Sequence, residues 1–162
     1  MGLSYDVGKL RRMGDTLTQR QKAYKRYLIA DMEKLAFTSQ RLARALAPVE
    51  TGSLENAISA HLNRSNYSEL SITLSVSSSA VRSGILNNGR RYRGGENVSR
   101  YAEILENARF NLGPGSIRKQ SRNSLSQKVG WRFMDRTLEK MRKEMQEIVR
   151  NSALKAGFGR GR

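Results

Sequence analysis

Residues 45–58, with the sequence ALAPVETGSLENAI, decide how this chain divides between helix and strand. Pro48 ends a helix before it, because the proline ring disfavours helical geometry in the preceding residue. Thr51 can cap the next helical turn, and Gly52 allows the backbone to reverse tightly. Leu54 and Ile58 then lie on one face, so we expect them to pack back on the helix that Pro48 ends.

A long amphipathic helix is predicted before this stretch. It covers residues 15–47, either unbroken or as two helices joined near Lys22, since neither Pro nor Gly interrupts the segment. A shorter leading helix over residues 6–13 is weakened by Gly8 and Gly14. The apolar stripe of the long helix repeats at helical spacing and comprises Leu28, Met32, Leu35, Ser39, Leu42 and Leu46. Such a helix buries one side and needs a partner.

The pattern after this stretch changes from helical to strand-like. Residues 58–63 and 69–77 are predicted strands, with Asn63-Arg64-Ser65-Asn66 as the turn between them. In the second run apolar and polar residues alternate strictly from Leu70 to Val76, which is typical of a half-buried strand. We therefore expect an antiparallel hairpin.

Two loops and two helices complete the prediction. Residues 82–98 and 109–130 are predicted as long basic loops, the first with the option of a hairpin extended around Asn88-Gly89. Ser99 is expected to cap a short helix through Leu105, and a final helix is expected from about Arg132 to Ala156. The predicted apolar stripe of the final helix comprises Met134, Leu138, Met141, Met145, Ile148 and Ser152.

These elements predict one α+β domain over residues 1–156, followed by a flexible basic Gly/Arg tail over residues 157–162. A long N-terminal helix and a C-terminal helix would pack on an antiparallel sheet. The chain contains no apolar run long enough to span a membrane and no apolar segment typical of a secretory signal at its start. We expect a soluble cytosolic protein with no membrane partner.

The charge of the chain points to contact with anionic partners. Its 162 residues include 30 Lys and Arg against 14 Asp and Glu, which gives a formal charge of +16. A field this positive attracts nucleic acid and acidic protein surfaces, and it opposes the compactness of an isolated monomer. The excess is concentrated in the predicted loops, where the candidate docking or DNA-facing residues are Arg82, Arg90, Arg91, Arg93, Arg100, Arg109, Arg118, Lys119, Arg122 and Lys128.

Catalysis and cofactor binding find little support in the sequence. The chain has no Cys and a single His, His61, so cysteine-ligated zinc and a thiol nucleophile are excluded. Glu103 and Glu106 lie one helical turn apart, as carboxylates do on many solvated helices. Residues 113–116, with the sequence GPGS, lack the Gly-Lys-Ser/Thr of a phosphate loop and are expected to form a turn. We predict a non-enzyme with no catalytic residue, metal or cofactor.

Nucleic-acid binding remains open from the residues alone. Residues 90–93, RRYR, interleave an aromatic ring with guanidinium groups, which suits phosphate contact and base stacking. Residues 131–133, WRF, can be interpreted in the same way. No helix-turn-helix, zinc or RNA-binding module fits the chain. A solvated or protein-contacting surface is an equally weighted interpretation of these residues.

A family resemblance adds to this interpretation. The motif in residues 45–58, the later segment 101–106 (YAEILE) and a C-terminal helix opened by Phe133 resemble the tail-completion, or head–tail joining, family of long-tailed double-stranded DNA bacteriophages. Glu50 and Ala57 stand where that family usually has Asp and Ser. The residues that carry the resemblance are Ala47, Pro48, Val49, Thr51, Gly52, Leu54, Ile58, Tyr101, Ala102, Glu106 and Phe133.

The resemblance implies a structural virion protein at the head–tail junction, assembled in the host cytoplasm. Its implied partners are further copies of itself in a ring, with a hexamer expected, the tail tube protein below, the head-closure or connector protein above, and genomic DNA passing through the lumen. The motif residues have structural explanations and mark no active site. The alternative function is that of a basic nucleic-acid-binding accessory protein.

Overall fold

The computed structural model describes residues 7–49, 52–66, 69–81, 95, 97–123 and 128–159. Its elements, in chain order, are α1 (Val7–Leu46), α2 (Ser53–Ala57), β1 (Ile58–Asn66), β2 (Glu69–Val76), α3 (Val98–Asn107), α4 (Pro114–Arg122) and α5 (Phe133–Lys155). The α+β class predicted from the sequence is therefore confirmed, with one long helix near each end of the chain and an antiparallel sheet between them.

Helix α1 is longer than the sequence predicted. It runs unbroken for 40 residues, about 60 Å, through both Gly8 and Gly14, so the predicted beginning at residue 15 and the alternative join near Lys22 were wrong. A glycine within a helix costs only about 1 kcal/mol, which the continuous ladder of backbone hydrogen bonds on both sides offsets. The helix ends at Leu46, two residues before Pro48, as expected.

Helix α5 packs antiparallel against α1. Near the end of α5, the Lys155 ammonium lies 2.9 Å from the Asp31 carboxylate, whereas Phe133 at its beginning shares a core cluster with Leu46. The predicted stripe of α1 faces this interface. Met32, Leu35, Ser39, Leu42 and Leu46 are buried, and Leu28 is half-buried against the same cluster as Met141, so this prediction is confirmed.

The predicted stripe of α5 was in part wrong. The fully buried positions of this helix are Phe133, Thr137, Met141 and Ser152, whereas Leu138 is 42% exposed. Phe133, the first residue of the helix, inserts fully into the core and fixes the rotation of the helix about its axis. Thr137 can then be buried because its hydroxyl donates to the Phe133 carbonyl at 2.8 Å.

The hairpin forms as predicted, with a different turn. In the antiparallel pairing of β1 with β2, Ile58 lies opposite Val76 and Asn63 lies opposite Ser71. After a register irregularity, Asn66 lies opposite Glu69. The predicted turn at residues 63–66 is therefore strand, and residues 67–68, which connect the two strands, lie outside the described residues. The even-numbered residues from Leu70 to Val76 are half-buried and the odd-numbered ones from Ser71 to Ser75 form the opposite, polar face.

The segment after the hairpin differs from the prediction at its helix cap. The N-cap of α3 is Asn97 rather than Ser99, and the Asn97 side chain accepts from the backbone N–H of Ser99 at 2.8 Å. Val81 and Asn97 form an antiparallel bridge, so the two ends of the predicted first basic loop lie side by side. Its residues 82–94, with the Asn88-Gly89 pair, lie outside the described residues.

The second predicted loop contains a helix. Pro114 and Gly115, expected in a turn, begin α4, and Gly113 is its N-cap. Pro is favourable at the start of a helix because its missing N–H would have no intrahelical partner there. Lys119 and Arg122 occupy the last turn, where cations interact favourably with the helix dipole. Nine largely polar residues carry no continuous apolar stripe, so sequence periodicity could not reveal this helix.

Residues 157–159, the described part of the predicted tail, form a turn in which Gly157 adopts a φ of +83°. The turn brings the Phe158 ring edge-on to Tyr24 of α1, with a centroid separation of 6.2 Å. Residues 160–162 lie outside the described residues.

Replacing Phe133 tests the assignment of the buried face of α5. Phe133→Ala should lower the free energy of unfolding by about 3–5 kcal/mol, because it leaves a cavity in the fully buried cluster. Leu138→Ala, on the exposed flank, should change it by no more than about 1 kcal/mol. Urea unfolding followed by circular dichroism measures both, and a larger loss for Leu138→Ala would contradict the observed rotation of α5.

Candidate docking surfaces

The residues that carry the family resemblance converge in one place. Five of them, from three segments far apart in sequence, are buried in a single core cluster: Ala47, Leu54, Ile58, Ala102 and Phe133. Tyr101 packs against the cluster, and Pro48 is buried beside it in sequence. The expectation that Leu54 and Ile58 pack on the long helix is confirmed, since both join Leu42 and Leu46 there.

Gly52 shows why the motif needs a glycine before α2. Its φ is +80°, a backbone conformation that side chains with a Cβ rarely adopt, and it is the N-cap of α2 with no side-chain hydrogen bond. The tight reversal predicted at this residue is confirmed. Thr51, which we expected to cap the turn, lies outside the described residues.

Glu106 caps α5 from another helix. The residue before α5, Arg132, has a left-handed backbone and provides no side-chain cap. Instead, Glu106 Oε1 accepts from the backbone N–H of Met134 at 2.7 Å, while its other oxygen is buried without a hydrogen-bond partner among the described residues. Burial raises the pKa of Glu106, an effect that backbone N–H groups of Met134 and Asp135 oppose.

Lys119, a predicted docking residue, contacts the end of α1 and the side chain of Glu55 in α2. Its ammonium donates to the carbonyls of Arg44 and Ala47, at 2.8 Å for Ala47, and pairs with the Glu55 carboxylate. The last carbonyls of a helix have no intrahelical donor, so Lys119 supplies a cap to α1 from 72 residues away. This side chain is therefore committed within its own chain.

Two further contacts hold α4 in place. The Ser116 hydroxyl accepts from the N–H of Val49, in the motif segment, at 2.8 Å, and the Gln120 side chain accepts from the N–H of Val129, in the segment before α5. Helix α4 thus clamps the turn after α1 with one face. Its other face carries the exposed Arg118 and Arg122, which border a cavity of about 540 Å³ above that turn.

A second basic surface surrounds Trp131. The guanidinium carbons of Arg109 and Arg132 lie 5.1 Å and 5.5 Å from the centroid of its ring, which is a cation–π arrangement. Arg132 also bonds to the Asp135 carboxylate at 2.8 Å. The indole remains 38% exposed, so its ring and the two guanidinium groups lie together at the surface just before α5.

The predicted set of docking residues therefore divides into three groups. Arg100, Arg109, Arg118, Arg122 and Lys128 are exposed, whereas Lys119 is engaged by α1 and α2. Four of the set stand on a helix rather than in a loop, Arg100 on α3 and Arg118, Lys119 and Arg122 on α4. Arg82, Arg90, Arg91 and Arg93 lie outside the described residues.

Of the sequence candidates for chemistry, Glu103 and Glu106 line one groove at the beginning of α5, and His61 is not among the lining residues of that groove. Glu103 is exposed while Glu106 caps α5, and His61 is exposed on the polar side of β1. Across the described ranges, no group of three or more metal-ligating side chains occurs. No helix in the part of the chain that the structure describes is long and apolar enough to cross a membrane.

Removing the Lys119 ammonium tests its capping role. Lys119→Met should lower the free energy of unfolding by about 1–3 kcal/mol, because it leaves two carbonyls and the Glu55 carboxylate without their donor. Arg118→Met, one residue earlier on the exposed face, is the matched control and should stay within about 0.5 kcal/mol. Equal losses from the two variants in chemical denaturation would contradict the cap.

The raised pKa of Glu106 gives a pH dependence with a definite sign. The folded state holds this proton more tightly than the unfolded state, so the contribution is full below the unfolded pKa and is lost as pH rises through the folded pKa. Glu106→Gln keeps an acceptor for Met134 without a charge. Its stability relative to the parent should therefore increase from pH 4 to pH 8. Urea unfolding at a series of pH values measures this difference, and parallel pH profiles for the parent and Glu106→Gln would refute it.

Comparison with known proteins identifies no relative of this fold and these surfaces. No protein-family model, curated protein or solved structure matches the chain.

Proposed function

We propose that this chain is a structural subunit of a tailed-bacteriophage virion, forming a homo-oligomeric ring at the head–tail junction. The ring would terminate the tail tube and join it to the head connector. The phage assignment rests on the sequence resemblance carried by residues 45–58, 101–106 and Phe133. The proposal that the chain works by assembly is supported by how much of α1 the fold leaves uncovered.

The N-terminal part of α1 extends beyond α5 and carries the proposal. The turn that follows α5 lies beside Tyr24 of α1, where the Phe158 ring contacts the Tyr24 ring. Every residue of α1 from 11 to 22, on the N-terminal side of this contact, is exposed. Met13 and Leu17, 58% and 55% exposed, lie in the same helical phase as the buried stripe that begins at Leu28. An apolar stripe on a helix is normally covered, so this one favours a protein partner.

The small sheet supports the same interpretation. A two-stranded sheet is marginal on its own and gains from packing against further structure. Subunits packed side by side in a ring would provide such packing.

The distribution of charge favours acidic protein neighbours over a stacking nucleic-acid site. Arg118 and Arg122 present guanidinium groups outward, and in a ring such groups can offset repulsion by contacting acidic tail-tube or connector surfaces. Trp131 offers less to a nucleobase, since two guanidinium groups of its own chain already lie over its ring. DNA in the lumen then remains a secondary partner.

Electron microscopy and light scattering test the ring directly. The purified full chain, examined by negative stain at low and high salt, should form closed rings of uniform subunit number, and antibody labelling should locate the protein at the neck of virions. A strictly monomeric protein that is absent from virions would overturn the proposal.

Two measurements, head–tail joining and affinity for duplex DNA, distinguish the proposed ring subunit from the nucleic-acid-binding alternative. Replacing Arg90, Arg91 and Arg93 together by Ala should leave rings intact and impair head–tail joining in an assembly assay. Binding to duplex DNA that falls steeply with salt and disappears in this variant, with joining unaffected, would instead favour the accessory-protein alternative.

A further inference from the structure

A groove with an acidic lining lies at the beginning of α5. It has a volume of about 620 Å³ and is formed by β2, α3 and the first turn of α5. Leu74, Val76, Ala102 and Met134 provide its apolar lining. Three of its four ionisable lining residues are acids, namely Glu103, Glu106 and Asp135, although the chain has about twice as many bases as acids.

The acids of the groove are not equally available to a partner. Among the described residues that line it, Arg132 is the one base, and it is bonded to Asp135, so these two charges offset each other. Glu106 is engaged at the beginning of α5 and Arg109 lies over Trp131 at one edge of the groove, which leaves Glu103 as the carboxylate exposed at the rim. The groove therefore suits a ligand that is apolar on one side and basic around it.

The exposed segment of α1 has those properties. Residues 11–22, which we call the overhang, display the apolar side chains Met13 and Leu17. The overhang contains four bases and one acid: Arg11, Arg12, Arg20, Lys22 and Asp15. Both the overhang and the groove are preformed on regular elements, so docking would require little ordering.

The two surfaces lie at opposite ends of the molecule. Because α1 and α5 run antiparallel, the groove beside the beginning of α5 lies near the end of α1, where Phe133 meets Leu46. Leu17 precedes Leu46 by 29 residues of continuous helix, about 44 Å. One chain therefore cannot place its overhang in its own groove.

We propose that the overhang of one copy docks in the acidic groove of the next copy, head to tail. An interface of two different surfaces propagates from copy to copy and closes into a ring if the rotation permits. This inference rests on the proposed ring and names the contact that builds it. The apolar pair Met13 and Leu17 would contact the groove lining, while the bases around them would meet Glu103.

Two variants disable the two surfaces separately. Met13→Ser with Leu17→Ser should weaken self-association of the full chain at least tenfold without unfolding it, because both side chains are exposed. Glu103→Lys should weaken it to a similar degree by placing like charges together. The matched controls are Phe37→Ser, exposed on another face of α1, and Glu69→Lys, exposed at the start of β2; both should associate as the parent does.

Mixing the two defective proteins gives the decisive measurement. The overhang variant keeps a good groove and the groove variant keeps a good overhang, so an equimolar mixture should form one-to-one dimers and nothing larger in sedimentation velocity. Rings that persist in both variants would overturn this contact while leaving the proposed function standing. A parent chain that stays monomeric would overturn both, and dimers formed by a chain absent from virions would overturn the function alone.

Discussion

The end of helix α1 is the constraint on which the rest of this structure depends. Pro48 prevents the helix from continuing, which leaves its last carbonyls in need of donors at a buried place. Lys119 reaches them from α4, and the Gly130 N–H donates to the Leu46 carbonyl at 2.8 Å. These bonds bring α4 and the segment before α5 to the same point, and Phe133 then fills the apolar space beside it.

Sequence reasoning found the elements whose signal is local. The stripe of α1, the break at Pro48 and the alternation in β2 each depend on neighbours within a few residues, and each was confirmed. The caps that join distant segments had no such signal, because nothing near Lys119 or Glu106 indicates a helix end elsewhere in the chain. The rotation of α5 was missed for a related reason, since only tertiary packing selects Phe133 over Leu138.

The positive charge serves more than one purpose in the fold. Lys119 caps α1, and Arg132 bonds to Asp135 and lies over the Trp131 ring, so both side chains already have partners within the chain. Others, such as Arg118 and Arg122, remain on the surface. A formal charge of +16 therefore overstates the charge available to partners, and the acids of the groove beside α5 stand out against it.

The position of Phe133 has a consequence during synthesis. The main cluster combines residues near Leu46 with a ring encoded almost ninety residues later, so it stays incomplete until most of the chain has left the ribosome. Contacts of such high sequence separation form slowly. The apolar stripe of α1 is therefore exposed during synthesis until Phe133 has been added. A truncated product that ends before Phe133 keeps this stripe exposed, which makes it a target for chaperones and proteases.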